Sequence, residues 1–380
     1  MINRYRGMAS DAVRVGAFRR AIESVVRPGD VVVDVGCGLG TYAVFAARAG
    51  ARKVYAIERE HIVITARQIA RDNGCADRIE FICADALDVK LPERADVAIF
   101  EDFSATFVEP ETERLIRAVQ RRMLKPGGRI IPSTVDVFAA PVHCRALYAR
   151  IDQWGGTGEK AHGIDFSATR EMAMNCIHRA GLRAAELAAM PKRAHHIDFA
   201  AKTAFGFDAR LSFRARRAAV LHGLAVWFEA RLAPRVRLSN SPLAPATLWG
   251  QGLLPLVQPV KAGKGSLIAV DLAARPSRDS GRVWWQWAVR TSGGEADGTT
   301  FRSFPTTLTA LEAGSRTHRP LLSVEAEMVR CALSSLKRGC TILGLARVLR
   351  RRFPRWFPTL RNAVSRAGEY ALRYGRRPEV

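Results

Sequence analysis

The sequence predicts an α/β protein in three parts. These are a parallel-sheet domain over residues 1–132, a mostly β domain over 133–300 with a helical insertion near 150–190, and a small basic helical domain over 316–380. Three observations carry that expectation. Short β-branched runs alternate with helical periodicity in the first third, the pattern of a sheet buried on both faces. Strand-like runs divided by Pro and Gly turns fill the middle. Three amphipathic stretches with helical spacing close the chain.

Residues 8–26 carry apolar side chains at helical spacing and lead through Arg27-Pro28-Gly29-Asp30 into Val31-Val32-Val33-Asp34-Val35, a β-branched strand. That strand breaks into Gly36-Cys37-Gly38-Leu39-Gly40, a helix-compatible run follows over 41–48, and a second strand over 53–57 ends on Glu58. Strand, glycine turn, helix, strand and acid form the unit that holds an adenosine moiety at the carboxyl edge of a parallel sheet. The glycines let backbone N–H groups approach the ligand, and the acid accepts from the ribose hydroxyls. A dinucleotide fingerprint would place its glycines at the first, third and sixth positions of the turn. Here they stand at 36, 38 and 40, with Asp34 two residues earlier. A third strand over 79–82 leads to Asp85-Ala86, and a fourth over 95–100 stops at Glu101-Asp102. A helix over 111–123, a turn over 125–128 and a strand over 129–131 complete the first part, and Pro132 ends it.

The DxGxGxG form resembles motif I of the class I S-adenosylmethionine-dependent methyltransferases, whose ligand has no phosphate and carries a sulphonium cation. The stretch DVGCGLGTYAVFAARAGARKVYAIE resembles the protein arginine methyltransferases in particular, and the resemblance extends in patches to about residue 300. It implies a Rossmann-like class I methyltransferase domain, joined through LKPGGRIIPSTV to a β-barrel-like domain, with a helical arm that makes a homodimer. It implies S-adenosyl-L-methionine as cofactor, held by Asp34, Gly36, Cys37, Gly38, Gly40, Glu58, Arg59, Asp85 and Ala86, with Asp85 at the adenine edge. A segment like Met8…Asp11-Ala12-Val13-Arg14 would fold over that cofactor, with Arg14 on its methionine carboxylate; the alternative is a surface helix arginine.

The acceptor side departs from the family. Methylating a guanidinium requires carboxylates that grip it in a fork and draw charge from the attacking nitrogen. The family uses two glutamates on one loop for this, and Glu101 matches the first. Without a gap the second falls on Pro110, flanked by Glu109 and Glu111, while Asp102-Phe103-Ser104-Ala105-Thr106 replaces the aromatic-glycine residues between the pair. Thr247-Leu248-Trp249 stands where the family carries Thr-His-Trp. The catalytic expectation is therefore Glu101 with Asp102 or Glu109, and Glu111 reads as an acid in the first turn of a helix. The implied function is N-methylation of arginine in a protein or peptide. Two alternatives stay open: another nucleophile in a small molecule or peptide amine, or a lapsed cofactor-binding module with a basic docking domain. An RNA methyltransferase would show Asn/Asp-Pro-Pro-aromatic or a catalytic Cys where Phe100-Glu101-Asp102-Phe103 stands.

In the middle part, strands are expected at 134–140, 211–214, 225–232, 266–272 and 282–289. The arm includes Ile151-Asp152-Gln153-Trp154 and FSATREMAMNCIHRAG, and residues 301–315 read as a linker. In the third part, Arg347, Arg350, Arg351, Arg352 and Arg355 cluster around Phe353 and Trp356. They form either a solvated helix face or a docking surface for an acidic partner or nucleic acid.

Composition sets the outer bounds. A chain of 380 residues, 48% apolar, buries a full core in two or three domains. No signal peptide is read at the N-terminus, and no apolar run approaches the roughly 18 residues of a membrane helix. Seven cysteines lie scattered without a CxxC pair or histidines at metal spacing, which points to a reduced cytoplasm and no metal site. The net charge of +23 would attract any polyanion, so nucleic acid is an open though not a favoured partner.

Overall fold

A computed structural model describes residues 2–153, 164–166, 169–277, 280–303, 319 and 321–375. The chain divides into two compact units, Met1–Phe304 and Pro305–Val380, so the first two expected domains share one unit.

The first half of that unit runs α1 (Ile2–Ser10), α2 (Ala12–Val25), β1 (Val31–Val35), α3 (Thr41–Arg48), β2 (Lys53–Glu58), α4 (Val63–Asp72), β3 (Ile79–Cys83), β4 (Ala95–Phe100), α5 (Pro110–Arg122) and β5 (Leu124–Ile131). The strands form one parallel sheet in the order β3-β2-β1-β4-β5. Every residue of β1 is buried, as the β-branched run requires when helices cover both faces. The order reverses between β1 and β4, and a sheet of this kind binds its ligands outside the carboxyl ends at such a switch point. Gly36 follows β1 there, and Glu101 follows β4. The expected turn at 125–128 is instead a bulge inside β5: Ala95 pairs with Leu124, and pairing resumes at Val97 with Arg129. Pro110 starts α5, where its missing N–H costs nothing.

The second half is antiparallel. β6 (Thr134–Val142) is followed by α6 (Arg145–Asp152), α7 (Arg170–Met174), β7 (His178–Ala180) and β8 (Lys192–Asp198). Then come β9 (Phe207–Arg214), β10 (Ala219–Ala233), β11 (Val236–Ser239), β12 (Gln251–Ala262), β13 (Leu267–Ser277), β14 (Arg282–Thr291) and β15 (Gly294–Thr299). One sheet runs β7-β12-β10-β6-β8, with β11 on β10, and the other β15-β14-β13-β9, giving a barrel-like pair. All five expected strands are present and most are longer than expected. The sequence reading missed β12 because Pro255 and Pro259 demote a central strand; Pro255 sits opposite Gly223, where the β10–β12 register shifts. The helical arm is shorter than expected, because β7 already pairs with β12 from residue 178. Its Trp154, and most of the expected linker at 301–315, lie outside the described residues. One continuous core joins Val33 of β1, Phe107, Phe228 of β10 and Trp285 of β14, which is why the two halves form one unit.

The second unit has three helices, Val324–Lys337, Ile342–Arg352 and Leu360–Tyr374, as the sequence predicts. Ser323, Thr341 and Thr359 each cap their helix by accepting a backbone N–H three residues on. Met328, Leu345, Leu349, Phe357 and Tyr370 form its own core. Among the described residues no helix is long and apolar enough to cross a membrane.

Candidate active site

Two cavities open at the carboxyl end of the parallel sheet. The first, about 330 Å³, is lined by the glycine turn from β1, by Glu58 and Arg59 from β2, and by Tyr5, Met8 and Arg14 from α1 and α2. The second, about 890 Å³, lies between the 101–109 loop and the barrel-like half. Both are lined by Met8, Arg14, Glu101 and Asp102, so the cavities meet at that group of four.

The turn is shaped by backbone needs. Gly36, Gly38 and Gly40 all hold positive φ, a region that L side chains rarely adopt. A Cβ on Gly40 would also lie 3.0 Å from the Phe81 ring, and one on Gly38 would lie 3.0 Å from Tyr5. Glu58 is buried and held at both oxygens: Gly38 N–H donates to Oε2 at 3.0 Å and Glu60 N–H to Oε1 at 2.9 Å. Gly40 does not line the cavity but caps α3 behind it. Asp34 lies beneath, 1% exposed, and its Oδ2 has no hydrogen-bond partner. Burial pushes Asp34 up to about 7, with the Glu101 and Glu58 charges adding to the rise. Asp85 and Ala86 do not line the cavity; the Asp85 Oδ1 accepts from Leu87 N–H at 2.8 Å within its own loop.

Arg14 is no surface arginine. It is 4% exposed, its Nη1 donates to Glu101 Oε1 at 2.5 Å and its Nη2 to the Met8 carbonyl. Its guanidinium carbon lies 5.4 Å from the Trp249 ring centroid, and its Nε is buried without a hydrogen bond. Burial pushes the Glu101 carboxyl up to about 7 against the pull of Arg14, and Asp102 adds to the rise. Asp102 is exposed and packs on the glycine turn; a Cβ on Gly36 would meet its Cβ at 3.4 Å.

Glu109 occupies the N-cap position of α5 and lines the second cavity. Burial raises its pKa, opposed by hydrogen bonds with Ser104 and Thr112. Glu111 is exposed in the first helical turn and lines neither cavity, as its helix position predicts. Glu101, Asp102 and Glu109 are thus brought to one wall.

Residues that sequence reasoning passed over hold this wall in place. Trp249 stacks on Phe103 at 5.0 Å, and its Nε1–H donates to the Phe103 carbonyl at 2.8 Å. Asn240, 1% exposed, donates to the Ala105 carbonyl at 2.8 Å and accepts from Phe228 N–H at 2.8 Å. Phe107 is fully buried at φ 64°, a strained conformation for an aromatic residue, among Phe103, Phe199, Phe205 and Phe228. Most of these contacts link positions more than ninety residues apart, so no local pattern marks them. Leu248, in the family's histidine position, gives its backbone N–H to Asp11 Oδ2 at 2.9 Å.

The residues present suit a ligand with a ribose, a carboxylate and excess positive charge. Glu58 faces one part of the first cavity and the Glu101–Asp102 pair another, while the Nε of Arg14, which lines both cavities, makes no hydrogen bond.

Comparison with known proteins agrees with this geometry. Residues 133–286 match the family described as the arginine methyltransferase oligomerization subdomain, and residues 32–128 match a methyltransferase domain. The chain is 28% identical over 288 residues to protein arginine N-methyltransferase 6 of Danio rerio, covering 72% of this chain and 82% of that one. It is 26% identical over 323 residues to a probable protein arginine N-methyltransferase 6 of Arabidopsis thaliana, covering 72% and 73%. Among solved structures, the PRMT1 enzyme–prozyme heterotetrameric complex of Trypanosoma brucei with AdoHcy aligns with a TM-score of 0.70 at 22% identity, over 78% of this chain and 97% of that one. Protein arginine methyltransferase 10 of Arabidopsis thaliana aligns with a TM-score of 0.68 at 21% identity, over 79% and 98%. At such identities the structural likeness speaks for the fold.

The buried Asp34 yields a pH prediction. A carboxyl whose folded pKa is raised contributes stability below its unfolded value, and that stability is lost as pH climbs through the folded one. With Asp34 raised from 3.8 to about 7, the ligand-free protein carries an unpaired buried charge at alkaline pH. Asp34→Asn should raise the thermal midpoint by several degrees at about pH 8, and the gain should close near pH 5, where the parent carboxyl is neutral. A variant less stable than the parent at both pH values would contradict the assignment.

Proposed function

The chain belongs to the class I S-adenosylmethionine-dependent arginine methyltransferase family, and on that premise we propose that it N-methylates arginine in a protein or peptide, working as a cytoplasmic homodimer. One observation carries the reading: the adenosine-type cavity and the larger cavity beside it share Glu101, and Glu109 lines the larger one along the same wall. A donor in the first and a guanidinium in the second would meet at that carboxylate.

S-adenosylmethionine, when bound, supplies a methyl group on a sulphonium. The chain's own residues bind, orient and move protons. The glycine turn and Glu58 would hold the adenosine end, and Arg14 would offer its buried guanidinium to the methionine carboxylate. Arg14 also occupies Glu101 Oε1 in the ligand-free site. Moving it toward a bound carboxylate frees Glu101 for the acceptor, so one ion pair is exchanged for two. Glu101 and Glu109 then grip the acceptor guanidinium, and Asp102, packed against the turn, adds negative potential at the junction. This removes charge from the attacking nitrogen, which is a poor nucleophile while its guanidinium stays delocalised. A carboxylate that titrates near neutrality can also take the proton the guanidinium sheds. Trp249 and Asn240 keep the loop within the small tolerance that in-line transfer allows.

The homodimer reading rests on the matched oligomerization subdomain and on the arm, where Ile164 and Phe166 stand 55% and 37% exposed. Burying these two side chains against a second copy would add to such an interface. The cytoplasmic reading rests on seven free cysteines, five of them outside the cavities and unpatterned.

Glu101→Gln should lower turnover roughly 10²–10³-fold, the usual loss for one transition-state electrostatic contact, with cofactor affinity changed far less. Glu109→Gln should cost more than Glu111→Gln. Rate against pH should fall on the acid side with a midpoint near 7, because Glu101 must be ionised. Full activity in Glu101→Gln would remove the guanidinium mechanism.

Sedimentation of the full chain at micromolar concentration should give a dimer, and removing residues 155–180 should give a weakly active monomer. A parent protein that sediments as a monomer would overturn the dimer.

A further inference from the structure

The helical unit lies beyond the matched family region, which ends at residue 286, and it carries charge that its own acids do not answer. Residues 305–380 hold 15 Lys and Arg against five Asp and Glu, whereas residues 1–304 hold 44 against 31. Among the described residues of the unit the acids are Glu325, Glu327 and Glu369, and each is engaged already. Tyr370 O–H donates to Glu325 at 2.6 Å, while Arg330 and Arg366 bind Glu327 and Glu369 at 2.5 and 2.9 Å.

Five other arginines cluster at one place. Arg347, Arg350, Arg351 and Arg352 are exposed on the helix Ile342–Arg352, whose buried face is Leu345, Ala346 and Leu349. Arg355 follows on the next turn, also exposed, and none of the five makes an ion pair among the described residues. One or two cations in a last helical turn complement the macrodipole. Arg350, Arg351 and Arg352 already exceed that need, and Arg347 and Arg355 extend the positive surface to either side, which favours binding of a polyanion.

The turn beside them is built to hold an aromatic face outward. Trp356 N–H donates to the Phe353 carbonyl at 3.0 Å, and Phe357 is buried in the core of the unit. Pro354 and Pro358 bracket the turn. Trp356 itself is 61% exposed although its backbone is fixed from both sides. A large apolar ring kept in water next to a dense cationic cluster combines the two elements that single-stranded nucleic acid uses: charge for the phosphates and a planar platform for an unpaired base. An acidic peptide would answer the arginines but leave the ring without a planar partner, and a duplex would have to unstack to reach it.

We propose that Arg347, Arg350, Arg351, Arg355 and Trp356 form a binding surface for single-stranded nucleic acid. The proposal does not depend on the methyl-transfer reading. The test is fluorescence anisotropy of the full chain with a labelled single-stranded RNA of about 15 nucleotides, the DNA of the same sequence, and its duplex, over a range of salt. Binding should weaken with salt with a log–log slope of roughly −3, from about 0.7 per phosphate contact. Changing Arg347, Arg350 and Arg351 together to Gln should flatten that slope by about 2, since three of those contacts are lost. Trp356→Ala should weaken binding about tenfold without changing the slope. Both variants should keep the parent's circular dichroism and thermal midpoint, which separates lost contacts from lost folding. Equal affinity in parent and variants, preference for the duplex, or a polyglutamate peptide that competes as well as RNA with no effect of Trp356→Ala, would each overturn the proposal.

Discussion

The buried ion pair between Arg14 and Glu101 is the interaction on which the rest of the site depends. It joins the N-terminal segment to the end of a central strand, and it sits where the two cavities meet. Burying two charges costs several kcal/mol per ion unless the remaining polar groups are satisfied. Here the satisfaction is partial: the Met8 carbonyl and the Trp249 ring serve Arg14, while its Nε makes no hydrogen bond and has only the Asp11 carboxylate at 4.0 Å. The pair fixes the N-terminal segment against the end of β4. Its partners explain why α1, α2, the 101–109 loop and the Trp249 segment form one body.

The acceptor wall depends on how α5 begins. A ladder of positions aligned without a gap puts a proline where the family has its second glutamate. In the folded chain Pro110 opens the helix, so Glu109 is the last residue of the loop and reaches the cavity, while Glu111 points out from the first turn. The carboxylate is displaced by one residue at a boundary between loop and helix. Along the same wall Leu248 stands in the family's histidine position, and its backbone N–H donates to Asp11 Oδ2.

Much of this was legible before folding. The strand, glycine turn and acid over 31–58 are contiguous, and their roles follow from local backbone requirements, so that reading needed no tertiary knowledge. The three C-terminal helices were legible for the same reason, each with its own Ser or Thr cap. What the residues could not disclose is non-local. Asp34 lies under the cavity and not on its wall, because the strand turns it inward among Glu58 and Glu101. Asp85 turns to its own loop. Asn240 and Phe107 matter through contacts with segments far away in sequence, and β12 was hidden by prolines that a register shift accommodates.

The account's central claim is that Glu101 and Glu109 present an arginine guanidinium to the methyl donor. The most direct measurement is tandem mass spectrometry of arginine- and lysine-containing peptides incubated with the protein and isotope-labelled S-adenosylmethionine. The account predicts label on guanidinium nitrogens and none on lysine amines or the peptide N-terminus. Label found only on amines, or tight donor binding with no label on any peptide, would contradict it.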